Sequence, residues 1–294
     1  MMNKDIFFSR HCGKWILTGE HILVRGGHAL SFPLRELCLD MQYKPNAPLS
    51  FLFDREFSDS KKNKFFESAV KQAFSHIGKE PAGAFYLSSK IPLGYGLGSS
   101  AAFCLSLSDL FFQLGYIQNI VEFAWNLEHT FHGKSSGSDI QTIYHKKSLI
   151  FKSSKNFEFF EPKWHPHIYL YNTGISSSTK KCVEKVSNLF DQSQEKSNTI
   201  YKQMEKSVDQ SIEALSNPSK GLRLLIQAMT EACDCFEEWG LLEPLRPSIE
   251  KLKSLGALAV KPTGAGAGGY LIGLWKNSLP SSQLDDENFL PISL

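Results

Sequence analysis

Residues 91–102, Ile-Pro-Leu-Gly-Tyr-Gly-Leu-Gly-Ser-Ser-Ala-Ala, constrain this chain more than any other stretch. Gly94, Gly96 and Gly98 remove side chains at alternate positions, so the backbone there can bend sharply and approach a ligand closely. Ser99 and Ser100 stand where a helix begins, because the run from Ala101 to Leu114 puts Leu107, Leu110, Phe111 and Leu114 on one helical face. A glycine-rich loop emptying into a helix N-terminus presents unpaired N–H groups and a partial positive charge, which suits a phosphate. The competing reading is a flexible loop that happens to precede a helix. A Walker loop needs Lys and then Ser or Thr after its last glycine, whereas Ser99-Ser100-Ala101 follows here. The dinucleotide fingerprint lacks its third glycine at the required spacing, and Asp109 comes too early for its acidic partner. The loop therefore suits a nucleoside triphosphate held in another way.

At 294 residues the chain can bury a substantial core in one large or two moderate domains. Its 32 Lys and Arg nearly balance 30 Asp and Glu, so bulk charge argues for neither a nucleic-acid partner nor an anionic membrane. The six cysteines, at 12, 38, 104, 182, 233 and 235, include no Cys-x-x-Cys. Zinc and a disulfide framework are both disfavoured, and a reduced cytoplasmic setting is expected. Neither a signal peptide nor a membrane span is expected.

Hydrophobic patterning lays out the elements. A strand is expected over Lys14–Val24, broken at Gly19-Glu20-His21, and a second over Ala29–Met41. Helices are expected over Phe65–Ile77 and Asn119–Phe131, and a Gly/Ser loop over His132–Asp139. Strands follow at Leu149–Phe151 and Ile168–Asn172, then a long polar helical region from Ser178. Two more helices, Gly221–Trp239 and Leu245–Leu255, precede two strands around the turn Lys261–Gly269. A composition change near Pro162 and Pro166 sets an expected domain boundary, giving domains 1–165 and 166–294.

Other segments carry chemistry-bearing residues. Gly13-Lys14-Trp15-Ile16-Leu17-Thr18-Gly19-Glu20-His21 puts a cation and an acid–imidazole pair at a strand and the turn after it. His132-Gly133-Lys134-Ser135-Ser136-Gly137-Ser138-Asp139 presents one carboxylate from a tight loop. Lys261-Pro262-Thr263-Gly264-Ala265-Gly266-Ala267-Gly268-Gly269 is a second glycine-rich turn. Each has a plain alternative: Lys14 and Glu20 as surface charges, Asp139 as a turn residue, Gly264–Gly269 as a mobile loop. For Glu128 that alternative is a solvated carboxylate near a helix C-terminus, a position mildly unfavourable for an anion. Cys233-Asp234-Cys235 is spaced too tightly for a metal pair. The Phe-rich segments read as core, with room for a homodimer surface.

Together, in this order, these segments resemble the GHMP small-molecule kinases, from about residue 13 to residue 275. Within that family residues 13–24 are similar to the mevalonate kinase pattern Gly-Lys-x-x-Leu-x-Gly-Glu-His-x-x-Val. Asn172–Lys180 is similar to a stretch of the same kinases that ends Arg-Ser-Thr-Lys, with Ser177 in place of the Arg. The resemblance implies an α+β, two-domain GHMP kinase fold, with a ribosomal protein S5 domain 2-like N-terminal domain and a ferredoxin-like C-terminal domain. It implies an ATP- and Mg2+-dependent transfer of the γ-phosphoryl to the primary alcohol of mevalonate.

The same resemblance implies roles. Gly94, Gly96, Leu97, Gly98, Ser99, Ser100 and Ala101 would wrap the ATP phosphates, and Ser100 with Glu128 would hold Mg2+. Asp139 would be the base, with Lys14 beside it favouring its charged form. Glu20, His21, Thr179, Gly264 and Ala265 would line the substrate. The alternatives are a GHMP kinase for a sugar, homoserine or phosphomevalonate, the related decarboxylase, and a non-catalytic ligand-binding relative. Ser177, the short tail after Trp275, and Ala267 where a glycine is usual depart from the family pattern.

Overall fold

The computed structural model describes residues 6–54, 60–132, 135–153, 155–292 and 294. Gly133 and Lys134 of the expected Gly/Ser loop lie outside them. The chain is mixed α+β, as expected, and it divides into two compact units built from segments far apart in sequence. One unit comprises the residues up to Gly13, Arg35–Pro92 and Gly98–His145; the other comprises Lys14–Leu34, Leu93–Leu97 and Lys146–Leu294. Strands β1 (Phe7–Thr18) and β2 (Ala29–Lys44) each begin in one unit and end in the other.

In the first unit, the later part of β2 pairs antiparallel with β4 (Ala84–Ser89), from Leu39 opposite Ser89 to Lys44 opposite Ala84. On its other edge β4 pairs parallel with β3 (Ser50–Phe53), a strand too short and flat in pattern to read from sequence. Four helices complete the unit: α1 (Ser60–His76), α2 (Ser99–Gln113), α3 (Ile120–His132) and α4 (Ser138–His145). Helix α2 was expected to bury one face, but Ser99 and every residue from Ala101 to Ser108 are buried, with Leu110 and Phe111. Small residues make that possible, because Ala101, Ala102, Ser106 and Ser108 let neighbouring elements close on all sides. Rings fill the rest: Phe66 meets Phe103 at 4.8 Å and Phe74 meets Phe111 at 4.9 Å between centroids.

Two expectations are corrected here. Asp139 does not sit in a loop: α4 begins one residue before it, and Asp139 occupies the first turn. Backbone N–H groups of Gly137 and Ser138 donate to the Ser135 and Ser136 hydroxyls, and Gly137 takes the φ of +83° that only glycine adopts freely, so the chain turns early enough for α4 to start. The cysteines were expected to be reduced, yet Cys12 on β1 and Cys38 on β2 form a disulfide. Twenty-six residues separate them, and the pairing of β1 with β2 brings them together, which spacing motifs cannot report. Cys104, Cys182, Cys233 and Cys235 are free thiols.

In the second unit, the early part of β2 pairs antiparallel with β5 (Leu149–Ser153), and β5 pairs with β6 (Asn156–Phe159). Trp15 and Phe32 stack at 4.6 Å inside this unit. The strand expected over Lys14–Val24 is corrected to β1 ending at Thr18. Gly19 turns the chain with φ +106°, and Leu23–Arg25 form a short 3-10 turn closed by Gly26. Helices α5 (Thr179–Gln192), α6 (Gln194–Ser216), α7 (Gly221–Glu238) and α8 (Arg246–Ser254) belong to this unit. A separate antiparallel sheet joins β7 (His167–Asn172), β8 (Ala259–Pro262), β9 (Tyr270–Trp275) and β10 (Phe289–Pro291) in the order β10-β7-β9-β8. All six residues of β9 are buried, and its core takes in Leu271 and Trp275 with Met204, Phe236, Trp239 and Leu252. The short helix α9 (Ser281–Leu284) and β10 were not legible in the polar tail sequence. No helix of the described residues is long and apolar enough to cross a membrane.

Candidate active site

The expected site residues fall into two sets, one in each unit. In the second unit, Lys14 is 2% exposed, which overturns its reading as a surface charge. Its Nζ donates to the Gly96 carbonyl at 3.0 Å, and its backbone N–H donates to the Leu97 carbonyl at 3.0 Å. The strand carrying Lys14 is fixed again two residues on: the Thr263 hydroxyl accepts from Ile16 N–H at 3.0 Å and donates to Ile16 C=O at 3.1 Å. The buried ammonium is thus held against the glycine loop at the Gly96 carbonyl.

The two glycine-rich segments touch backbone to backbone. A Cβ on Gly96 would stand 2.9 Å from the Thr263 carbonyl, and one on Gly264 would stand 2.8 Å from Gly96 Cα. Both have positive φ, +80° and +82°, so any other residue meets strain and collision together. Gly94 accepts from Ser177 N–H at 2.9 Å, so the position of the missing family Arg serves the loop through its backbone. The Gly264–Gly269 turn is fastened rather than loose: Ala267 N–H donates to Leu241 and Gly269 N–H to Ile175, at 2.9 and 2.7 Å.

Glu20 is also buried, at 3% exposure, and its Oε1 accepts from Lys261 Nζ at 2.6 Å. Burial pushes the Glu20 carboxyl above its ordinary range, and the Lys261 charge and hydrogen bond oppose that. His21 takes a left-handed φ of +66°, and its Nε2–H donates to the Ala265 carbonyl at 2.9 Å. Burial pulls the His21 pKa down to about 4, so the ring is neutral near pH 7 with its proton on Nε2. Glu20 and His21 thereby meet Lys261 and Ala265 side by side. Thr179 opens α5 and is exposed.

The first unit holds the other set. Gly98, at φ +77°, is the N-cap of α2 and supplies no side-chain cap, and the helix opens on Ser99, Ser100 and Ala101. Glu128 on α3 is 5% exposed, so the solvated reading is overturned. Its Oε2 accepts from the Ser135 hydroxyl at 2.6 Å. Its charge helps burial raise the Cys104 thiol on α2 well above the usual value. Asp139 is half-buried in the first turn of α4, where the helix dipole favours an anion.

Lys261 and Thr263 were given no individual role by sequence reasoning. The available signal was a lysine set between the apolar Ala259-Val260 and a glycine run, where a charge has no solvent to face.

With this geometry in place, the comparisons define a class. Residues 64–147 match the family model "GHMP kinases N terminal domain". A mevalonate kinase of Archaeoglobus fulgidus is 28% identical over 279 residues, spanning 91% of this chain and 92% of the relative. The crystal structure of L. major mevalonate kinase in complex with R-mevalonate superposes with a TM-score of 0.78 at 21% identity, covering 96% of this chain and 91% of that one. Streptococcus pneumoniae phosphomevalonate kinase, solved with phosphomevalonate and AMPPNP, superposes at 0.70 with 14% identity, over 98% of each chain. The fold is that of the GHMP kinases, and the resemblance read from the sequence is borne out. So is the expectation of a phosphotransferase with an alcohol acceptor, the relatives at 28% identity being mevalonate kinases.

Proposed function

We propose that this chain transfers the γ-phosphoryl group of ATP to the primary hydroxyl of mevalonate. The observation that carries the reading is the glycine loop itself. Gly94, Gly96 and Gly98 all take positive φ, Lys14 is buried against the Gly96 carbonyl, and the loop runs directly into the N-terminus of α2. Backbone N–H groups at a helix N-terminus suit phosphate oxygens. Residues 94–101 accordingly cradle the triphosphate, with Leu97 buried behind them.

Asp139 accepts the proton of the substrate hydroxyl as its oxygen bonds to the γ-phosphorus and the bond to the β-phosphate oxygen breaks, releasing ADP. Lys14 stabilises negative charge on the transferred group, because phosphoryl transfer needs positioning and charge neutralisation more than covalent help. Glu20, His21, Thr179, Gly264 and Ala265 take the alcohol side.

The donor set fits Mg2+. Ser100 and Glu128 offer hard oxygen ligands, and Glu128 is a buried carboxylate whose orientation Ser135 fixes. An ion held by these two oxygen ligands is completed by phosphate oxygens and water. When bound, Mg2+ neutralises charge on the triphosphate.

Ser177 favours a second reading in which the same transfer serves another alcohol, because the Arg of the mevalonate kinase pattern is absent. The assignment of the base is tested with Asp139→Asn. Turnover is expected to fall about 100-fold or more while ATP binding stays near that of the wild type. Full activity in this variant removes Asp139 from the reaction.

A further inference from the structure

Glu20 and Lys261 form an ion pair whose side chains are 2% and 0% exposed. Removing two charges from water in this way is costly, and such pairs are weak evidence for stability on their own. The directions of the bonds are more informative. Lys261 Nζ donates to Glu20 Oε1 and to the carbonyl of its neighbour Pro262, and it lies 5.4 Å from the ring centroid of Phe236. The ammonium is therefore committed to a carboxylate, a carbonyl and an aromatic face, all within the protein.

Glu20 is not satisfied to the same degree. Its Oε2 is buried and accepts no hydrogen bond from any other described residue. Buried carboxylate oxygens in folded proteins find donors, because leaving one unmatched forfeits its hydration without return. The turn that carries it is held rigidly. Gly19 packs so closely on Ala29 that a Cβ would stand 2.4 Å from the Ala29 Cα, and His21 is tied to Ala265. Oε2 is thus a fixed acceptor next to the His21 and Ala265 positions assigned to the alcohol.

We propose that Lys261 is a positioning residue for the alcohol substrate, holding Glu20 as a carboxylate whose Oε2 accepts a hydroxyl of that substrate. Lys261 makes no contact with the substrate; it acts through Glu20. An ionised carboxylate accepts hydrogen bonds and donates none, so this point in the site takes a donor such as a hydroxyl and rejects a carboxylate or phosphate there. The charged groups around Glu20 are Lys261 and, more weakly, Lys14, while the Cys235 thiol is pushed up in part by the Glu20 charge. The inference rests on the proposed reading of Glu20 as substrate-facing.

The test is steady-state kinetics of wild type, E20Q, K261M and the E20Q/K261M double variant, on whichever alcohol the wild type phosphorylates. KM values for alcohol and ATP are measured separately. Each single variant is expected to raise the alcohol KM about tenfold or more, the worth of a hydrogen bond to a charged group, with the ATP KM unmoved. The double variant is expected to match E20Q, because without the carboxylate Lys261 has nothing left to hold. A further tenfold rise in the double variant, or an equal rise in the ATP KM of K261M, overturns the inference. If K261M fails to fold, E20Q against the double variant carries the comparison, since the double variant replaces the buried pair by two neutral side chains. An unchanged alcohol KM in E20Q overturns the role of Lys261 and leaves the kinase reading standing. A wild type idle on mevalonate but active on another alcohol retires the proposed substrate and leaves this test intact. A chain idle on every alcohol overturns both.

Discussion

Ala267 has a φ of +57°, in the left-handed region where a Cβ crowds the following carbonyl. Its neighbours Gly264, Gly266 and Gly269 take similar angles without that cost. Ala267 stays there because its N–H donates to Leu241 and its methyl packs on the core around Phe236 and Trp239. The sequence marked this alanine as standing where a glycine is usual, and the structure gives it a positive φ. Ala267→Gly is therefore expected to stabilise the protein by about 0.5–1 kcal/mol, read as a rise in Tm with activity retained. A lower Tm contradicts the strain. Legibility at this scale followed chemistry that shows in one dimension. The glycines and acids of the motifs stood out, whereas the burial of Lys14, Glu20 and Glu128 did not, because burial depends on what packs over a residue. Lys261 was passed over for the same reason: its partner lies 241 positions away.

Elements with strong periodicity were the easiest to read. Helices α1, α2, α3, α7 and α8 and strands β2, β5, β7 and β9 lie within a few residues of where apolar spacing placed them. The elements that escaped were short, as with β3, β6, α9 and β10, or depended on local turn chemistry, as with the start of α4. The Cys12–Cys38 disulfide belongs here too. It joins two strands whose pairing no cysteine spacing could announce, so composition alone favoured thiols. Of the six cysteines four are free, so the unreduced protein unfolded in denaturant is expected to titrate four thiols. Reduction should raise this to six, and six thiols before reduction would contradict the pairing. Closing a loop of this size contributes about 3 kcal/mol in the chain-entropy account, so Cys38→Ser is expected to lower the Tm measured without reductant.

At the scale of the whole molecule, the chain order of the motifs is what made the class readable. Lys14, the loop at 94–100, Glu128, Asp139 and the turn at 261–269 occur in the order on which the resemblance rests, and the α+β fold matches GHMP kinases over nearly the full chain. What the linear reading could not express is that each compact unit gathers distant segments, with β1 and β2 passing through both. The fold is shared by kinases for different acceptors, since mevalonate and phosphomevalonate kinases both superpose on this chain. Fold alone therefore does not choose the acceptor, and in the proposed reading the contacts of Glu20, His21 and their neighbours choose it. The deciding measurement is kcat/KM for ADP release with ATP and Mg2+ across mevalonate, phosphomevalonate, homoserine and galactose. Turnover on mevalonate, exceeding every other acceptor by about 100-fold or more, is the expected result. Preferred turnover on another acceptor, or ATP binding with no turnover on any, would contradict the account.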